Sequence, residues 1–215
     1  MHKLDRATAP VPACLALYDY QQHRWDDLAQ PHKQEIRQSL GQLQAERCAY
    51  CEGPPYREGH IEHFRRKNPA HFPELTFHWE NLFLACGSQD HCGHYKDRPS
   101  APAYNPNHLI KPDIDDPDEL LYFHSSGEVR LRPNLSDHNA NRANETVRVF
   151  NLNDGALKAA RRRAVRIYLE REPDILEALI SFDPQDRQVF IAEESQATSG
   201  DPYCTTIKHL FEAVH

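Results

Sequence analysis

The chain has 215 residues, 39% of them hydrophobic and 27% charged, with a formal charge of −7 at pH 7. That length suits one large domain or two small ones with a buried core. No run reaches the roughly 18 apolar residues of a membrane span, and charges and prolines near the start replace the apolar stretch of a secretory leader, so the sequence reads as cytoplasmic and off the membrane. The acidic balance counts against a stand-alone nucleic-acid binder, which carries a basic domain or a concentrated basic patch.

Residues 1–47 read as an irregular segment, with Pro10, Pro12 and Trp25, followed by a lead-in helix. Ile36, Leu40 and Leu43 recur at i, i+4 and i+7, the spacing of one helix face. Residues 48–98 hold four cysteines and six histidines. Residues 99–138 open as a proline-rich acidic loop and continue as "ELLYFHSSGEVRLR", two alternating runs joined by a glycine-containing turn, which predicts a β-hairpin. Residues 139–215 read as helices, with a break at Asn153-Asp154-Gly155 and a final helix over "IKHLFEAV". The fold class expected is α+β, with a small metal-stapled module ahead of a mainly helical C-terminal region that contains one hairpin.

Cys48 and Cys51 are spaced C-x2-C, and Cys86 and Cys92 are spaced C-x5-C, with 34 residues between the pairs. Two such knuckles can give zinc a closed set of four thiolates, a structural site with no open position for chemistry. The alternative is buried free cysteines, small apolar residues in effect. Cys14 and Cys204 have no partner at ligand spacing and read as ordinary thiols. The reactive residues cluster within and beside the stapled segment, in "HIEHF" at 60–64, "HWENLFLAC" at 78–86 and "HCGHYKD" at 91–97.

A zinc knuckle, then Glu-His after a short strand, then Asn-Leu before the third cysteine, then His and Lys after the fourth, is similar to the HNH endonucleases. The combination of "IEHF-x-x-K", "TF-x-W-x-NL-x-x-x-C" and "CGHYKD" resembles more narrowly the PtuB family, the HNH nuclease subunits of Septu and retron-linked antiphage defence systems. "DDPDELLYFHSSGEV" and "ETVRVFNLNDGALKAARRR" extend the resemblance over most of the chain. It implies a ββα-metal module in which one Mg²⁺ or Mn²⁺ ion serves catalysis beside structural zinc. Carried onto this sequence, His63 is the general base, Glu62 and His94 are ligands of the catalytic ion, and Asn81 fixes the hairpin and orients the base. It further implies a nucleic-acid substrate, DNA or RNA, and a PtuA-like ABC/SMC-type ATPase as partner. In retron-linked systems a reverse transcriptase and its DNA join these.

The chemistry of the residue types agrees. Phosphodiester hydrolysis needs a base of near-neutral pKa, which histidine supplies, and a cation to absorb developing charge. Lys96, Arg65, Arg66 and Lys67 are the candidates to meet phosphates. Two positions stay open. In a regular strand His60 and Glu62 share one face and His63 the other, so His60 is the better base unless the strand ends at His63. Gly93 separates Cys92 from His94, which leaves His91 as the rival ligand. Lys158, Arg161, Arg162, Arg163, Arg166 and Arg171 concentrate on one predicted helix, either a solvated face or a surface for phosphates or an acidic partner. The competing function is a non-catalytic zinc-ribbon module that binds nucleic acid or protein.

Overall fold

The computed structural model describes residues 1–54 and 59–212. Roughly half of the chain is helical, short 3-10 turns included, and the strands form two small antiparallel pairs. No described helix is long and apolar enough to cross a membrane.

Helix α1 (Gln30–Gln44) starts with Pro31 in its first turn, where a missing N–H costs nothing. Ile36, Leu40 and Leu43 are buried, as their spacing predicts. The helix stops because Ala45 and Glu46 turn left-handed, at φ 48° and 55°. Its last side chain, Gln44, is buried and behaves like one residue of a strand. The Gln44 amide donates to Leu84 O at 2.9 Å and accepts from Leu84 N at 2.8 Å, so the edge of the neighbouring sheet is not left unpaired in the core.

That sheet is β1 (His60–His63) against β2 (Leu82–Ala85), with Glu62 opposite Phe83 and His63 opposite Leu82. All four β2 residues are buried. The pairing continues through His63, so side-chain alternation puts His60 and Glu62 on one face of β1 and His63 on the other. Helix α2 (Cys92–Asp97) follows, entered at Cys92 with φ 61° and tied to the second half of the chain by Cys92 N donating to Phe150 O at 2.8 Å.

The expected hairpin forms from β3 (Leu121–Phe123) and β4 (Val129–Leu131). Its turn needs Gly127, which sits at φ 85° where an added Cβ would lie 2.1 Å from Lys158 O. Helices α3 (Asp137–Val149), α4 (Gly155–Arg171), α5 (Ile175–Ser181), α6 (Pro184–Ala197) and α7 (Cys204–Glu212) complete the chain. The last two residues of the final helix expected from the sequence, 213 and 214, lie outside the described residues. One apolar core runs from Met1 and Leu4 through Phe83 to Phe150 and Leu157, so the first thirty residues, irregular in conformation, are packed into the same interior as β2. A smaller cluster of Tyr168, Ile175, Leu179, Ile207 and Phe211 closes the C-terminal helices.

The arginine-rich helix is corrected at one position. Arg161 of α4 is fully buried, donates to Leu152 O at 2.7 Å and Gly127 O at 3.0 Å, and lies 5.3 Å from the Phe123 ring. It clamps the β3–β4 turn onto α4 and presents nothing to a partner. Arg162, Arg163 and Arg166 remain on the exposed arc. Arg161→Glu is expected to cost at least about 3 kcal/mol of unfolding free energy, because it sets a buried anion against two carbonyls. Arg166→Glu, on an exposed residue 3.6 Å from Glu170, should stay within about 0.5 kcal/mol. Urea unfolding of the zinc-loaded proteins checks this, and equal small losses would show that the Arg161 clamp is absent in solution.

Candidate functional site

The end of α1, the end of β2 and the start of α2 deliver four cysteines to one point. Cys48, Cys51, Cys86 and Cys92 are buried, with their sulfurs all within 4.8 Å of one another. Zn–S bonds of about 2.3 Å in a tetrahedron require sulfurs about 3.8 Å apart; Cys51 and Cys86 Sγ are 3.9 Å apart. Gly53 N donates to Cys51 Sγ at 3.4 Å, and His91 Nδ1 lies 3.2 Å from Cys92 Sγ and 3.6 Å from Cys86 Sγ. His91 therefore belongs to the surroundings of the cysteines. Hydrogen bonds from the Cys48, Cys51 and Cys92 thiols push the Cys86 pKa far down, whereas burial pushes Cys92 up and the bond with Cys48 pushes Cys51 up. A divalent cation among the four sulfurs would let them ionise together. The donor set fits zinc. Metal analysis should find one zinc per chain, lost with cooperative unfolding in a Cys48→Ala/Cys86→Ala double variant. Full zinc in that variant would remove the site.

A second group lies between β1 and α2. Glu62 is buried, with Oε2 3.2 Å from His60 Nε2 and Oε1 2.8 Å from Lys96 Nζ. The His94 ring stacks on that of His60, centroids 3.8 Å apart and planes 19° from parallel. Burial works to raise the Glu62 pKa, but the Lys96 ammonium and then His60 outweigh it and bring it down to about 2. Burial, followed by His60, lowers His94. Gly93 makes this approach possible, since an added Cβ would lie 2.5 Å from Glu62 Oε2 and 2.9 Å from His60 Nε2. The three donors converge less tightly than the cysteines. Among the described residues only the four cysteines and the set His2, Glu52 and Cys204 close to within 4.8 Å.

Lys96 is corrected. It was expected to meet phosphates, but only 1% of it is exposed. Its ammonium also donates to both Asp97 oxygens at 2.9 Å and to His63 O at 3.0 Å. Burial works to lower its pKa, and the Glu62 and Asp97 carboxylates more than reverse that. It is an internal cation joining the two faces of β1.

His63, on the far face, lines a cleft of about 320 Å³ with Arg66, Lys67, Asn68, Asp97 and Arg98. Its Nε2 is 3.0 Å from Thr76 O, which can only accept, so Nε2 carries the proton and Nδ1 is the open base. The Trp25 ring meets the imidazole edge-on at 4.4 Å. Burial and then the Lys67 charge lower its pKa to about 3, which leaves the imidazole neutral. Asn81, also buried, pins the chain just beyond: its Oδ1 accepts from Arg65 N at 2.8 Å, and its Nδ2 donates to Arg65 O at 3.0 Å and Leu75 O at 3.1 Å. Arg66 is held by Asp97 at 2.8 Å and Lys96 O at 2.6 Å, while Arg65 bonds Asn107 at 2.6 Å and lies outside the cleft lining.

The structure thus brings Glu62 and His94 together with His60, and sets His63 apart on the cleft side. Asp97 and Arg98 escaped sequence reasoning although they adjoin Lys96 in "HYKDR", the only signal being that proximity. Trp25 had none, lying in an irregular segment 38 residues away in sequence. Cys204, read as unpartnered, sits beside His2 and Glu52, but Arg47 already contacts its sulfur at 2.8 Å and Thr205, His2 and the Met1 ammonium already fill the Glu52 carboxylate. No family model matches the chain, and no curated protein is similar to it in sequence.

A buried neutral histidine carries a signature. As pH falls below its unfolded pKa near 6.5, the unfolded chain takes a proton that folded His63 refuses until about pH 3, so stability drops across that window. Between pH 7 and 5 the wild type should lose about 2 kcal/mol more than His63→Gln, whose amide can keep the bond to Thr76. Denaturant midpoints at the two pH values measure this, and equal losses would mean that His63 is solvated and titrates normally.

Proposed function

We propose that the chain is a metal-dependent nuclease of the HNH type, hydrolysing phosphodiester bonds of nucleic acid as the effector subunit of an antiphage complex. The observation that carries the reading is His63, a neutral imidazole fixed by a backbone carbonyl with its other nitrogen open at a cleft that holds Arg66, Lys67 and Arg98. In that role Nδ1 takes the proton of the attacking water. A phosphodiester anion seated against Lys67 and Arg98 cancels the cationic field there and raises the basicity of His63 as substrate arrives. Asn81 holds residues 64–65 and so fixes the exit of β1 behind the base.

The donor set between β1 and α2 fits a catalytic ion by its chemistry, an anionic carboxylate beside imidazoles, with Gly93 leaving the cradle open. Glu62 and His94 would hold it. When bound, such an ion would absorb charge on the phosphoryl and leaving oxygens. Because it and His63 lie on opposite faces of β1, a phosphate served by both would have to sit at the end of the strand, beyond His63. The partner reading also rests on resemblance, and the exposed Arg162, Arg163 and Arg166 are the part of α4 that a PtuA-like ATPase could engage.

One observation favours the second reading, a binding module without catalysis. The Lys96 ammonium already neutralises Glu62, as an ion would. The two part on a single assay. The zinc-loaded protein, offered labelled DNA and RNA with Mg²⁺ or Mn²⁺, should cut one of them. His63→Ala and Glu62→Gln should each lower the rate at least about 100-fold with zinc content unchanged, and EDTA should stop cutting while zinc stays bound. Cutting that survives both substitutions rejects the assignment, and binding without cutting favours the module.

A further inference from the structure

We propose that His60 is a third protein ligand of the ion between β1 and α2, so that His60, Glu62 and His94 form a two-histidine, one-carboxylate set that prefers a transition cation such as Mn²⁺ to Mg²⁺. The inference rests on the proposed function only for the presence of an ion at this place.

Four features of the fold carry it. His60 and Glu62 alternate onto the same face of β1, which brings His60 Nε2 to 3.2 Å from Glu62 Oε2. Lys96 takes the other carboxylate oxygen at 2.8 Å, so the carboxylate is oriented from behind and Oε2 is the atom turned towards His60. Gly93 leaves open the volume where Oε2, His60 Nε2 and the first turn of α2 converge; a methyl group there would lie 2.5 Å from one and 2.9 Å from the other. Finally, His60 Nδ1 is buried without a hydrogen-bond partner among the described residues. Nothing fixes the His60 ring in the Nε2–H tautomer except its bond to Glu62, and Nε2 can exchange that proton for an ion.

The ligand chemistry sets the preference. Mg²⁺ demands oxygen ligands in near-octahedral order and sheds water reluctantly. Two imidazole nitrogens and one carboxylate favour first-row transition cations over Mg²⁺ and leave open positions for water or phosphate, and Mn²⁺ is the member of that series closest to Mg²⁺ in its ligand demands. The His94 ring lies flat on His60, so uptake requires it to turn out of the stack until its nitrogen meets Oε2 and His60 Nε2.

The test is Mn²⁺ binding to the full-length, zinc-loaded protein, read as loss of the free Mn²⁺ EPR signal, with Mg²⁺ as competitor. Zinc content and circular dichroism verify folding. The wild type should bind one Mn²⁺, displaced by Mg²⁺ only at more than about tenfold excess. His60→Ala and the milder His60→Gln should each weaken Mn²⁺ at least about tenfold and narrow the preference over Mg²⁺. Mn²⁺ binding that Glu62→Gln and His94→Ala remove but both His60 variants keep would overturn the role of His60 and leave the ion in place. No Mn²⁺ bound by wild type that carries one zinc per chain would overturn both, whatever the nuclease assay shows.

Discussion

The arrangement depends first on four sulfurs that come from three separate places in the chain. Cys48 and Cys51 follow the left-handed turn that ends α1, Cys86 follows β2, and Cys92 opens α2. A two-stranded sheet of four residues per strand is marginal by itself. Here its outer edge is finished by the Gln44 amide and by Ala49 N on Leu84 O at 3.0 Å, both just N-terminal to the knuckle or within it. The same junction fixes where α2 begins, and hence that Gly93 faces Glu62 and His60. The sulfur cluster and the residues between β1 and α2 thus rest on the same junctions of the chain.

Within that frame Lys96 solves the problem that alternation creates. A strand sends Glu62 and His63 to opposite faces, and some group must couple them if they are to act together. The Lys96 ammonium touches the Glu62 carboxylate, the His63 carbonyl and the Asp97 carboxylate, and Asp97 in turn holds Arg66 at the cleft. A buried cation with two anionic partners and a carbonyl is compensated well enough to persist, whereas removing any one partner leaves charge uncovered. Glu62, Lys96, Asp97 and Arg66 thus form one continuous run of charge-assisted contacts from the inner face of β1 to the cleft.

The readability of the sequence divides along physical lines. The lead-in helix, the β3–β4 hairpin and the cysteine pairing follow from periodicity, turn chemistry and ligand spacing, all of which are local. The two-face problem at Glu62-His63 was legible as well, because it needs only the period of a strand. What stayed hidden depends on tertiary burial. Lys96 and Arg161 sit among other basic residues that keep contact with solvent, and no local pattern separates a buried cation from a solvated one; each is marked only by the carboxylates or carbonyls that meet it in the fold. Trp25 reaches His63 from a segment with no periodicity to place it.

The fate of the cations also bears on the acidic balance of the chain. Arg6 is bound to Asp113 and Leu82 O, Arg132 to Glu212 and His209, Arg142 to Asp115 and Leu109 O, and Arg161 to two carbonyls. These side chains hold the fold together and cannot also neutralise phosphates. At the cleft, Arg66 is shared with Asp97, which leaves Lys67 and Arg98 as its cations without an ion-pair partner among the described residues. Each phosphate neutralised contributes about 0.9 to the salt dependence of binding duplex DNA. A grip of two or three phosphates therefore adds little sequence-independent affinity, and the net charge of −7 works against it. Under the nuclease reading, the acidic composition and the inward use of arginine fit a cleft that seats the phosphate that is cut and grips little of the polyanion beyond it.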